Sequence, residues 1–382
     1  MRKQQWGLYI HIPFCRQKCF YCDFPSFAGR ERYEADYTDA LCRELAVQGV
    51  LYREKWGSPR TIYMGGGTPS LLPIGLLAKI LQAIADVFGD AADREFTVEC
   101  NPGTVDAAKL RALRAGGVNR LSFGVQTFDD TLLKKIGRIH TGAQAREAMA
   151  LARTAGFQNV SMDLIYGLPG ESLAELERDL EAMVALEPEH ISIYGLQLEE
   201  GTAFAKMQEM GRLMLPDDDT VERMYDTMTA FLPAHGYARY EISNFAKPGF
   251  ESRHNLSYWQ DVPYLGVGAA AHSYLEGQRY ENVQEIPAYI EGIRTGKGVR
   301  RQEEAMTREI AMEEFAFLAL RTACGIDRAR FERRFGVPLE AVYAGAIAKL
   351  KRQGLLEADE AGVHLTPLGM KYGNMAFEEF LL

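Results

Sequence analysis

Three of the six cysteines, Cys15, Cys19 and Cys22, fall within eight residues as Cys-x3-Cys-x2-Cys. Thiolates are soft ligands for iron–sulfur clusters, zinc or copper, and a loop of this spacing lets three sulfurs converge on one small centre. On a four-iron cluster, three protein ligands leave one iron open to a small molecule, which is a catalytic and not merely a structural arrangement. Two plainer readings compete: a structural zinc with His11 or Asp23 as fourth ligand, and simple burial of small hydrophobes. Cys42, Cys100 and Cys324 stand alone and read as packing residues.

Other polar motifs follow short β-rich runs: Gly65-Gly66-Gly67-Thr68, Glu99-Cys100-Asn101-Pro102, Gly124-Val125-Gln126, and Asp163. Those runs are Leu8 to His11, Thr61 to Met64, Phe96 to Glu99, Arg120 to Gly124, Val160 to Ile165 and His190 to Leu196. Between them, segments such as Pro73 to Phe88, Ala107 to Ala115 and Ser172 to Leu186 carry apolar residues at helical spacing. Six βα units predict a parallel sheet, and the nearly continuous apolar character of the runs predicts cover on both faces. Six units are two short of a closed eight-stranded barrel, so an α/β fold with a partial barrel is expected, its ligands at the carboxyl ends of the strands.

The chain has 382 residues, 47% hydrophobic and 25% charged, which excludes collagen-like and disordered classes and allows one large domain with an appendage or two to three domains. With 43 Lys plus Arg against 52 Asp plus Glu, the net charge of −9 argues against coating nucleic acid. Leu8 to Phe14 is too short and too interrupted by His11 and Pro13 for a signal-peptide core, and no apolar run of about 18 residues follows, so a cytoplasmic protein is expected. The regular pattern breaks after about Leu198, so residues 1–200 are read as the barrel, 201–295 as an irregular extension and 296–382 as a separate unit. In that last unit three helical segments precede a hairpin turning at Glu360-Ala361-Gly362, a small winged-helix-like α+β pattern. From Arg300 to Leu382 there are 12 Lys plus Arg against 13 Asp plus Glu, so this unit lacks the basic face of a DNA reader and is read as a packing or docking element.

The stretch Tyr9-Ile-His11-Ile-Pro-Phe-Cys15-Arg-Gln-Lys-Cys19-Phe-Tyr21-Cys22-Asp-Phe24 resembles the cluster loop of the radical S-adenosylmethionine (SAM) proteins. It is most similar to the branch of oxygen-independent coproporphyrinogen III dehydrogenase, and the similarity runs from about Leu8 through the C-terminal unit. The resemblance implies a partial (β/α)6 barrel and a [4Fe–4S] cluster on Cys15, Cys19 and Cys22, with SAM chelating the open iron through its amino and carboxylate groups. It also places Tyr9, Tyr21, Gly66, Gly67, Thr68, Glu99, Gln126, Arg138 and Asp163 around SAM. These residue types suit such a ligand, since glycines admit close backbone approach, carboxylates accept from ribose hydroxyls or an ammonium, and Arg138 can clamp a carboxylate. His11 reads equally as a structural histidine or a ligand and is not counted in the site.

Within this branch one subgroup oxidises coproporphyrinogen III and another consists of heme chaperones. The dehydrogenase carries a further cysteine two residues after the third cluster cysteine, where this chain has Phe24, and a long N-terminal extension where this chain has about six residues. His254-Asn255-Leu256-Ser257-Tyr258-Trp259 resembles the chaperone subgroup's His-Asn-x-x-Tyr-Trp motif, associated with heme. Imidazole is a good axial ligand, and Tyr258 and Trp259 offer flat faces to a porphyrin. On a helix His254 and Tyr258 share a face; on a strand they do too, with Trp259 opposite. His272, after the small-residue run Gly266 to Ala271, is a weaker second place for a flat ligand or a close backbone. The expected activity is therefore heme transfer to an acceptor such as a respiratory or heme-storage protein, with porphyrinogen decarboxylation as the alternative. Peripheral membrane contact and a homodimer stay open.

Overall fold

A computed structural model of the chain describes residues 5–303 and 305–382; the basic opening Met1-Arg2-Lys3 lies outside them. Six parallel strands form the centre: β1 (Gly7–Ile12), β2 (Thr61–Gly66), β3 (Glu95–Cys100), β4 (Arg120–Gln126), β5 (Val160–Tyr166) and β6 (His190–Gly195), paired in that order. Helices Glu34–Glu44, Ile74–Phe88, Ala107–Ala115, Gly142–Thr154 and Leu173–Ala185 return the chain between them. Two of these begin with a capping box, Thr141 with Gln144 and Ser172 with Glu175, which satisfies the free amides of the first turn. The sheet stays open, so the expected partial (β/α)6 barrel is what forms.

The strands alternate more than their apolar runs suggest. Leu8, Ile10, Ile62, Met64, Val98, Leu121, Phe123, Met162 and Ile191 are wholly buried and belong to one core with helix residues Leu77, Ile80, Leu110, Leu113 and Leu180. The alternate positions carry Tyr9, His11, Tyr63, Thr97, Glu99, Arg120, Ser122, Ser161, Asp163, His190 and Ser192, which by the two-residue period face the barrel lumen. Both faces are covered, as expected, yet one is apolar and the other is a hydrogen-bonded polar interior.

Residues 201–295, read from the sequence as irregular, supply helices Ala203–Glu209 and Asp218–Ala234 and extend the barrel sheet at both edges. Asn244–Ala246 runs antiparallel to β6, and Tyr264–Val267 runs parallel to β1 and leads into strands His272–Leu275 and Gln278–Asn282. Strands of three to five residues are too short to show a period. The small residues from Gly266 to Ala271 admit another backbone: a Cβ on Gly266 would lie 1.9 Å from the His272 carbonyl oxygen, and one on Gly268 2.6 Å from that of His11.

Helices Arg308–Leu320, Arg328–Phe335 and Leu339–Arg352, the hairpin Leu356–Ala358 with Gly362–Leu365, and a short strand Ile326–Asp327 beside it form the expected small α+β unit. It has its own aromatic core of Phe315, Phe331, Phe335, Tyr343 and Phe380.

Candidate functional site

The three cysteines follow the end of β1 in a loop whose course is set by backbone bonds. Gly67 N donates to Ile12 O and Thr68 N to Phe14 O, both at 2.8 Å, so the end of β2 is laced to the start of the loop. Gly66 and Gly67 make this possible. A Cβ on Gly66, whose φ is +107°, would sit 2.4 Å from the His11 ring, and one on Gly67 2.6 Å from Phe14 O. The close approach these glycines permit is thus to their own chain as well as to any ligand. His11, buried, links the two sides: its Nε2 donates to Pro25 O at 2.8 Å and its Nδ1 accepts from the Tyr9 hydroxyl at 2.9 Å. Burial pushes its pKa down to about 4, so the ring is neutral.

Around the sulfurs a chain of polar contacts closes. Thr68 Oγ1 lies 3.6 Å from Cys15 Sγ and accepts from Asn101 Nδ2 at 2.9 Å. Asn101 Oδ1 accepts from Arg138 Nη2 at 2.7 Å, and Arg138 Nη1 points at Cys19 Sγ at 3.6 Å. Arg138 also donates to Gly124 O. Burial pushes the Cys22 thiol up. Arg16, Cys19, Thr68, Asn101 and Arg138 line one crevice.

The carboxylates stand deeper. Glu99 accepts from Tyr63 OH at 2.7 Å and from Gly66 N at 3.0 Å, and Asp163 lies 3.4 Å from Ser122 Oγ. Burial raises both carboxyls, and the charge of buried Arg120 in the lumen offsets part of that rise. Gln126 sits at a bulge between β4 and β5 with φ of +71°, a strained value for a side-chain-bearing residue. Tyr21, Gly66, Gly67, Thr68, Gln126 and Arg138 therefore lie with the cysteines at the carboxyl end of the sheet, while Tyr9, Glu99 and Asp163 stand in the lumen within the strands.

The donor set fits an iron–sulfur cluster. The thiols of Cys15, Cys19 and Cys22 are free of disulfides and half-buried, with hydrogen-bond donors aimed at two of them. Among the described residues no three His, Cys, Asp or Glu side chains close to the spacing of a single ion's ligands. Three thiolates with donors beside two of them are the ligand chemistry of an iron–sulfur cluster.

His254, Tyr258 and Trp259 are not brought to this place. They lie on the helix Arg253–Trp259 at the amino end of the sheet, where Glu95 of β3 accepts from Arg253 N and His254 N, each at 2.9 Å. From Thr61 to Gly66 the strand β2 alone spans about 16 Å. His254 Nδ1 meets Thr61 Oγ1 and its Nε2 meets Tyr258 OH, both at 2.8 Å, while Tyr63 stacks on the ring at 5.0 Å. His254 and Tyr258 do share a helix face, but both ring nitrogens are occupied and the residue is buried. Burial pushes its pKa down to about 3. Trp259 lies under the Arg321 guanidinium, 4.6 Å away. In this conformation the motif ties the barrel floor together, with no open slot for a porphyrin between its rings. His272 is exposed and bonds Glu303 at 2.8 Å.

Sequence reasoning did not single out Asn101, Tyr63 or Arg120. Asn101 stands in a motif noted after β3, but an Asn-Pro pair reads first as a turn. Arg120 at a strand start carries no signal of its lumenal burial.

An open sheet of six parallel strands with a three-cysteine loop after its first strand defines a radical SAM partial barrel. The Radical SAM superfamily model matches residues 9–183, and the HemN C-terminal domain model matches residues 306–372. A protein of Bacillus subtilis named heme chaperone HemW is 41% identical over 98% of each chain, and one of Lactococcus lactis with the same name is 40% identical over 98% of this chain and 97% of its own. The chain belongs to the family of these HemW proteins, within the radical SAM superfamily. That superfamily implies a [4Fe–4S] cluster and SAM. The solved structure of Escherichia coli coproporphyrinogen III oxidase (HemN) superposes with a TM-score of 0.85 over 100% of this chain and 91% of its own, at 24% identity, which speaks for the fold alone.

Proposed function

We propose that this chain is a heme chaperone that binds a [4Fe–4S] cluster, SAM and heme and passes the heme to an acceptor protein, such as a respiratory or heme-storage protein. The observation that carries the reading is 41% identity across 98% of both chains to a protein named heme chaperone HemW. Cys15, Cys19 and Cys22 are the proposed cluster ligands, and the nine residues that the resemblance places around SAM are the proposed SAM contacts. When bound, the cluster would supply an iron with an open position for SAM. Phe24, 60% exposed, stands where the resemblance puts the dehydrogenase's additional cysteine, which favours heme transfer over decarboxylation.

The helix Arg253–Trp259 is the proposed heme contact, with His254 as axial ligand. Its imidazole is neutral over the physiological range, as ligation requires, and ligation means giving up the bonds to Thr61 and Tyr258. The test is heme titration of the anaerobically reconstituted protein, monitored by absorbance, beside a decarboxylation assay with coproporphyrinogen III, SAM and a reductant. One-to-one saturable binding without decarboxylation is expected. His254→Ala should change the heme spectrum and leave the cluster's iron and sulfide content unaltered. Decarboxylation without specific heme binding would replace the reading; an unchanged heme spectrum in His254→Ala would move the ligand elsewhere.

A further inference from the structure

We propose that Asn101 is a positioning residue that aims two hydrogen-bond donors at the cluster sulfurs of Cys15 and Cys19 and thereby sets the cluster's reduction potential. The inference rests on the cluster reading above. A guanidinium only donates, so the amide oxygen of Asn101 must face Arg138 Nη2, at 2.7 Å, and the amide nitrogen is left for Thr68 Oγ1, at 2.9 Å. With its oxygen already accepting, Thr68 keeps its own O–H free for Cys15 Sγ at 3.6 Å. With Nη2 held, Arg138 presents Nη1 to Cys19 Sγ, also at 3.6 Å.

The amide is itself held. Asn101 N donates to Ser70 Oγ at 3.2 Å, and Asn101 O accepts from Thr104 Oγ1 at 2.6 Å. Ser70 and Thr104 hydroxyls meet at 2.6 Å, and Lys109 bonds the carbonyls of both residues. One side chain therefore directs a hydroxyl and a guanidinium to two different sulfurs from a braced loop. Donors to cluster sulfurs stabilise the extra electron of the reduced state, and hydrogen bonds of this kind are among the determinants of iron–sulfur potentials.

Asn101→Asp is nearly isosteric but reverses one bond. Its carboxylate accepts from Arg138 and also from the Thr68 hydroxyl, which is then drawn away from Cys15. Asn101→Ala removes both bonds, freeing the Thr68 hydroxyl from its amide partner and leaving Arg138 Nη2 held by Gly124 O alone. Wild type and the two variants are reconstituted anaerobically and compared for iron and sulfide content, for apo-protein melting temperature, and for cluster midpoint by redox titration followed by electron paramagnetic resonance. The expected result is full iron and sulfide in both variants, with midpoints more negative by at least a tenfold change in the one-electron equilibrium constant, about 59 mV. Asn101→Asp, which also adds negative charge, should shift further than Asn101→Ala. Midpoints equal to wild type with the cluster retained would overturn the proposal. So would loss of the cluster together with a lower apo melting temperature in both variants, which would make Asn101 a structural residue. Failure of the wild type to take up a cluster would be seen separately and would bring down the cluster reading itself.

Discussion

At Gly66 the backbone turns with φ of +107°, and any side chain would meet the His11 ring. His11 in turn holds Pro25 O in the cysteine loop, so strain at Gly66 is passed to the sulfurs. Gly66→Ala is expected to destabilise the apo-protein by about 1–3 kcal/mol from backbone strain alone, and to lower iron and sulfide uptake. Gly75, in the first turn of the helix Ile74–Phe88, has open space around it and an ordinary φ. Gly75→Ala should leave both quantities unchanged or raise the melting temperature slightly, because it only narrows the unfolded ensemble. Thermal melts and iron assays of the two variants side by side check this. Equal effects would mean that the glycine at position 66 is not dictated by the approach of His11.

The connection from β5 to the helix Leu173–Ala185 carries an acid in an apolar place. Glu171 accepts from Leu168 N at 2.8 Å, and burial pushes its pKa up to about 8. An acid whose folded pKa lies above its unfolded value of about 4.3 costs stability as the pH rises through that window. The cost is absent at pH 4 and fully present above pH 8. Asp179, raised by burial to about 6, adds the same sign over a lower window. Glu171→Gln keeps an acceptor for Leu168 N without the charge, so it should raise the melting temperature at pH 9 and change it little at pH 5. A gain of equal size at both pH values would show that packing, and not ionisation, is responsible.

Across the whole molecule, the C-terminal unit is joined to the preceding segments by backbone bonds, Ile242 N to Arg321 O and Ala323 N to Tyr240 O, and by several ionic contacts. Arg334 pairs with Asp261 at 2.9 Å and donates to Tyr274 OH at 2.6 Å, and Arg279 makes a two-pronged contact with Glu314. Asp261 lies just past the helix that carries His254, so this contact joins the proposed heme helix to the last unit. Because the unit has its own aromatic core, Arg334→Ala should loosen its attachment without unfolding it, at a cost of about 1.5–3 kcal/mol for hydrogen bonds to a charged group. Hydrogen exchange should then quicken in the helix Arg253–Trp259 and at the faces around Tyr274 and Arg334, while the barrel strands keep their protection. Uniform quickening throughout the chain would show one cooperative unit instead.

The sequence by itself determined the barrel strands and the helices that return between them, because apolar β-rich runs alternating with helices of nine or more residues at helical spacing leave one arrangement. It also determined the cysteine spacing and the polar motifs that follow the strands, since parallel strands of one direction bring their carboxyl ends together. Only the tertiary structure decided the rest. The polar lumen behind apparently apolar strands, the parallel strand Tyr264–Val267 beside β1, and the role of Asn101 between Thr68 and Arg138 all depend on contacts between segments far apart in the chain. The same holds for His254: its motif was legible in the sequence, but the helix it sits on and its pairing with Thr61 from another strand, at the opposite end of the sheet from the cysteines, were not. Such pairings are set by how whole elements pack, and no local pattern carries them.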